Sequence, residues 1–147
     1  MSDRALTVMR VIPAPRARVF EAWTKPEVMS RWFAAAPDWS CDAEADVRIG
    51  GRYILQMREP AGAVHEQFGE YREIVPVSRL VFTWTCPEIG VADSVVTVEL
   101  EDRGEQTALT LTHVLPDDAE IRRSHEDGWN GCLANLDRYL NQQRSPT

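Results

Sequence analysis

Cysteine is scarce in this chain. Cys41, Cys86 and Cys132 stand far apart, with no C-x-x-C pair. That spacing supports neither a disulfide framework nor a zinc site. Positive charge is sparse too: 16 Lys and Arg face 23 Asp and Glu, for a net charge of −7, and the longest basic run is Arg122-Arg123. Phosphate backbones and anionic membrane surfaces are bound through grouped cations, so neither nucleic acid nor a lipid surface is an expected partner. No apolar run approaches the ~18 residues of a membrane span, so membrane insertion is not expected. The N-terminal MSDRALTVMRVIPAP carries charges inside its apolar part, unlike a secretory signal. A reducing cytoplasm is the expected compartment.

Histidine is equally thin. His65, His113 and His125 are the only three, none in an H-x-x-H or H-E-x-x-H pair, so no metal and no cofactor are expected. There is no G-x-S-x-G nucleophile elbow. Gly50-Gly51 lacks the G-x-G-x-x-G spacing and precedes a strand, which makes it a turn rather than a phosphate cradle.

What is present is organised around the last helix, expected from about Pro116 to Gln143. Ile121, His125, Trp129, Cys132, Leu133, Leu136, Tyr139 and Leu140 recur at steps of three and four, one stripe on a helix. Arg122, Arg123, Glu126, Asp127, Asn130, Asp137 and Arg138 take the other side. Asp117, Asp118 and Glu120 suit the positive end of the helix dipole. Such a helix must lie on something that buries its stripe.

Upstream, all but the last of the nine prolines mark changes of periodicity. Leu6 to Ile12 reads as a strand. Pro15 opens a short helix with Val19, Phe20 and Trp23 on its apolar face. Thr24-Lys25-Pro26-Glu27 matches a capping box for a second short helix bearing Val28, Met29, Trp32 and Phe33. From Pro37 to His113 the period is two, with turns at Gly50-Gly51, Glu59 to Gly62, Pro76 and Asp102 to Gly104. Trp23 and Trp39 are expected to be structural or peripheral, and Glu73 with Arg79 to be a cross-strand ion pair.

Strand, two short helices, about six strands and a long helix make an α+β fold. The whole chain, 1-147, reads as one domain, with a frayed polar tail from 141-147. A curved antiparallel sheet of about six or seven strands is expected to wrap the helix, with the short helices closing one end. Gly128 and Gly131 within the helix, and Gly69 within a strand, mark either a void or close backbone contact.

The runs RVIPAPRARVFEAWTKPEVMSRWF, DVRIGGRYILQM, GEYREIVPVSRLVFTW, TALTLTH and HEDGWNGCLANLDRYL resemble, in order and over essentially the whole length, bacterial members of the activator of heat-shock-protein-90 ATPase homologue-like family. That family sits in the START-like (SRPBCC) superfamily of polyketide cyclases and lipid carriers. The resemblance implies a helix-grip fold with an internal cavity. The eukaryotic co-chaperone of the family joins this domain to a second one that engages the chaperone. Only five residues precede the first strand here, so co-chaperone activity is not expected to carry over.

Within a helix-grip fold, Trp32, Phe33, Tyr53, Met57, Tyr71, Trp84 and Trp129 would converge on the cavity, with Gln67, Tyr71 and His125 as polar tips. Three functions fit. One is binding of a small apolar, aromatic or lipid-like molecule. The second is a cyclase or dehydratase-like enzyme in the same cavity, with His125 as acid–base. The third is a chaperone-associated or stress-response interaction module with an exposed apolar patch, through which a homodimer is also compatible.

Overall fold

The computed structural model describes residues 3–144. β1 (Asp3–Ile12) leads into α1 (Arg16–Thr24) and α2 (Pro26–Trp32). β2 (Ser40–Ala45), β3 (Arg52–Arg58), β4 (Val64–Val75) and β5 (Arg79–Cys86) follow; after a 3-10 turn at Pro87–Ile89 come β6 (Val91–Arg103), β7 (Gln106–Pro116) and α3 (Ala119–Arg144). The strands form one antiparallel sheet in the order β1-β7-β6-β5-β4-β3-β2. Consecutive strands are neighbours throughout, except that β1 pairs with β7 after the helices intervene. This is the helix-grip arrangement.

The long helix covers 26 residues, about 39 Å at 1.5 Å per residue. Its stripe is buried as the spacing requires: Trp129, Cys132, Leu133, Leu136 and Leu140 are each 2% exposed or less. Asp118 caps its start, accepting bonds from the backbone N–H of Glu120 and Ile121 at 3.0 Å each. The polar tail expected from Asn141 is instead helical through Arg144, and the remainder lies outside the described residues. Two links fasten α3 to β1, Arg10 to Asp137 and the Arg122 guanidinium donating to the carbonyls of Arg4 and Ala5, and Arg4 also pairs with Asp117 just before the helix.

At the short helices one local expectation fails. Thr24 does not cap α2. It closes α1, and its hydroxyl donates to Phe20 O one turn back at 2.9 Å. Lys25 occupies the cap position with extended backbone and makes no side-chain capping bond, leaving Pro26 to start the helix. Proline needs no N–H partner and forces the preceding residue out of the helical region, so it sets the boundary by itself.

Each inward-facing row of β3, β4 and β5 runs from a packed end to an open one. At the packed end, beneath α1 and α2, Trp23 meets Trp32 at 4.9 Å and Phe33 at 5.6 Å between ring centroids. Tyr53, Tyr71 and Phe82 complete the plug with centroids 5.5–6.3 Å apart. The space left among these rings is about 10 Å³, too small for a ligand. Two of the three marked glycines record close contact. A Cβ at Gly69 would collide with the Thr83 carbonyl on β5, and one at Gly131 with the Ala35 carbonyl in the loop after α2. Asn135, one turn beyond Gly131, clamps that loop by donating to Ala34 O and Ala36 O.

Candidate functional site

The other end of the same rows is open. Tyr53 gives way to Leu55 and then Met57, Phe82 to Trp84 and then Cys86, and Tyr71 to Gly69, Gln67 and His65. Between these residues and the first half of α3 lies a cavity of about 590 Å³. Trp84, Trp129, Met57, Cys86 and Cys132 wall its inner part, while Trp39, His65, Glu88, Ile89, Ser124 and Asp127 surround its mouth. Gly128 borders it, and a Cβ there would meet nothing within 4 Å. This glycine, unlike Gly69 and Gly131, marks empty space.

The inner wall is held by a chain of hydrogen bonds. The Trp129 indole N–H donates to His113 Nδ1 at 3.0 Å, and His113 Nε2 lies 2.8 Å from Ser94 Oγ. Ser94 Oγ donates to the Trp84 carbonyl at 2.6 Å, so Nε2 carries the His113 proton and donates. The Trp84 indole donates to His125 Nε2 at 3.2 Å, and His125 Nδ1 faces Ile121 O at 2.9 Å. A carbonyl only accepts, which places the His125 proton on Nδ1. Both imidazoles are therefore neutral with both nitrogens occupied. Burial holds them neutral: it lowers the His113 pKa to about 2, assisted by His125 nearby, and lowers that of His125 against the pull of the Ile121 carbonyl.

At the mouth the opposite holds. His65 is gripped by Glu59 at 2.5 Å on Nε2 and by Glu88 at 2.7 Å on Nδ1. Bonds to Glu59 first and Glu88 second raise its pKa. Trp39 stacks on this ring, with centroids 5.1 Å apart and planes within 13°.

Of the nine residues expected around a ligand, Met57, Gln67, Trp84, His125 and Trp129 border the cavity. Trp32, Phe33, Tyr53 and Tyr71 do not. They belong to the plug: the Trp32 indole donates to Ala22 O of α1 at 2.9 Å, and the Tyr53 hydroxyl donates to Thr83 O at 2.5 Å. Alternation identified the inward face of Tyr53 and Tyr71 correctly but not their position along it, which α1 and α2, with Trp32 and Phe33, decide. His125 reaches the cavity, but as an acid–base it would need a free nitrogen and has none. Trp39, expected to be structural or peripheral, stacks on His65 at the mouth. His113 was legible only as a histidine without a motif, because its partners come from β6 and α3. The ion pair of Glu73 and Arg79 forms at 2.8 Å and extends to Glu99 at 2.6 Å.

Among the described residues no group of three or more His, Cys, Asp or Glu side chains is placed to hold a metal ion, and no helix is long and apolar enough to cross a membrane. All three thiols are buried, and burial raises those of Cys41 and Cys132.

Comparison with known proteins gives three kinds of result. A family described as "Activator of Hsp90 ATPase homolog 1-like protein" matches residues 13–141. Among solved structures, protein CV1439 from Chromobacterium violaceum is 28% identical over 92% of this chain and 95% of its own, with a TM-score of 0.80. The AHSA1-like protein from Aeromonas hydrophila is 24% identical over 95% of this chain and 94% of its own, also at 0.80. DynU16, from the dynemicin biosynthetic locus, is 26% identical over 93% of this chain but 47% of its own, at 0.75. No curated protein matches the chain.

Proposed function

The chain belongs to the Activator of Hsp90 ATPase homolog 1-like family, and from that premise we propose that it binds a small apolar or aromatic molecule between α3 and strands β3 to β5. The observation that carries the reading is the cavity of about 590 Å³, inside the range of roughly 300–1,000 Å³ typical of small-molecule sites. Its inner wall offers indole faces, thioether and thiol sulfur, and aliphatic carbon. The indole N–H groups and both histidines behind it are already bonded within the protein. Such a wall favours a flat apolar body, which gains from burial without leaving protein groups unpaired.

DynU16 supports the same reading, since a biosynthetic locus is a setting in which small molecules are handled. Cyclase-like chemistry is the less favoured alternative, because His125 has no nitrogen to offer a substrate.

The test is titration with a panel of flavonoids, aromatic polyketides, sterols and fatty acids, read by tryptophan fluorescence and by thermal shift. Trp84 and Trp129 stand in the wall and should report occupancy with saturable quenching. Gly128→Leu, which places a side chain in the space, should abolish the response while the fold and its melting transition persist. A response unchanged in Gly128→Leu would place the ligand elsewhere and refute the reading.

A further inference from the structure

Apart from the Ser124 hydroxyl and the Trp39 indole N–H, the polar atoms free to meet a ligand at the cavity are acceptors, and if the cavity binds a small molecule as proposed, they select its head group. Gln67 is 6% exposed and borders the cavity, and its Oε1 has no hydrogen-bond partner, while its Nε2 is spent on Cys86 Sγ at 3.8 Å. A buried amide oxygen without a donor is destabilising unless something supplies one.

At the mouth stand the carboxylates of Glu88 and Asp127, with Glu59 just behind on His65. No Lys or Arg is among the residues that border the cavity, and its one basic group at the mouth, His65, is already held between two carboxylates. Among the described residues no ion pair engages Asp127. The indole N–H groups of Trp84 and Trp129 and the His125 Nδ1–H, which could have served an acceptor on a ligand, are all consumed by the protein.

A free fatty acid or other carboxylate would therefore meet like charge at the mouth and unmatched acceptors within. We propose that the ligand is a cationic amphiphile: a flat apolar or aromatic body bearing an amine, whose ammonium sits at the mouth by Glu88 and Asp127, with a hydrogen-bond donor reaching Gln67 Oε1. Charge complementarity of this kind selects among ligands of equal bulk.

The experiment uses three probes that share one body and differ in the head group: pyrenebutylamine, pyrenebutanol and pyrenebutyrate. Energy transfer from tryptophan to pyrene reads binding at low ionic strength. The expected order is amine first, by roughly fivefold over the alcohol, with the carboxylate weaker than the alcohol. The doubly substituted Glu88→Gln, Asp127→Asn protein should lose the amine's advantage while its affinity for the alcohol holds. Both positions are exposed, so the fold should survive, and the melting transition checks that. These probes carry no second donor for Gln67 Oε1, so Gln67→Leu should leave their order unchanged.

Equal or tighter binding of the carboxylate would overturn the head-group inference and leave the cavity reading standing. So would an amine preference that survives the double substitution. Absence of binding by all three probes would overturn the cavity reading and this inference with it.

Discussion

Gly128 and Gly131 lie three residues apart on α3, and replacing each with alanine should move stability in opposite directions. Helix propensity favours alanine over glycine by ~0.8–1 kcal/mol at both positions. At Gly128 the added methyl meets nothing within 4 Å, so that gain is unopposed. The protein should become about 1 kcal/mol more stable, with Tm rising by about 3 °C for a chain of this size. At Gly131 the methyl would overlap the carbonyl of Ala35, a backbone atom that yields only if the loop after α2 lifts away from the helix. Lifting it strains the two bonds from Asn135 to Ala34 O and Ala36 O, each worth ~0.5–1.5 kcal/mol, on top of ~1–3 kcal/mol of overpacking. After the propensity gain is subtracted, a net loss of about 1–5 kcal/mol remains. Urea unfolding followed by circular dichroism would measure both. If the two substitutions shift the midpoint in the same direction, the distinction between a glycine facing a void and a glycine in contact is wrong.

Three further outcomes concern the histidines, one strained turn and the thiols. His113 is buried neutral with a folded pKa of about 2 against an ordinary 6.5. Stability is therefore full above pH ~6.5 and falls below it, by about 2 kcal/mol at pH 5 from this residue alone, with His125 acting in the same direction. His65, raised and only partly covered, opposes this weakly. Urea midpoints that stay flat or rise from pH 7 to pH 5 would contradict the neutral assignment. Val77 has a φ of 72° in the turn closed by Ser78 N–H to Val75 O, after Pro76, where a β-branched side chain is strained. Val77→Gly should raise stability by about 0.5–1 kcal/mol in thermal melts, net of the extra freedom glycine gains when unfolded, and a lower Tm would count against the strain. Finally, burial raises the thiols of Cys41 and Cys132, so a disulfide reagent at pH 8 should label them far more slowly in the native protein than in the urea-unfolded chain, and equal rates would contradict it.

The order of elements was legible because proline and turn glycines separate segments of different period, and because the α3 stripe has a spacing that only a helix can bury. The division of the interior was not. Tyr53, Leu55 and Met57 look equivalent in an alternating strand, yet two pack under α1 and α2 and the third borders the cavity. Nothing local to β3 encodes where the short helices will land. The glycines show the same limit: both positions in α3 read alike, and only the loop carbonyl at Ala35 separates them. Trp39 sits in a stretch without periodicity, and its role depends on stacking with His65 across 26 residues of sequence.

The sheet never closes on itself, and so it has two free edges, β1 and β2. Each is blocked by a side chain from a helix. The Arg122 guanidinium sits on the carbonyls of Arg4 and Ala5, and the Ala43 N–H on β2 is taken by Ser30 Oγ of α2 at 3.0 Å. A second chain arriving to extend the sheet would have to displace a charged group at one edge and a hydroxyl at the other before its first ladder bond formed. Strand-by-strand polymerisation is thereby discouraged at both ends, and any pairing of two copies would come more readily through the faces of the molecule than through its edges.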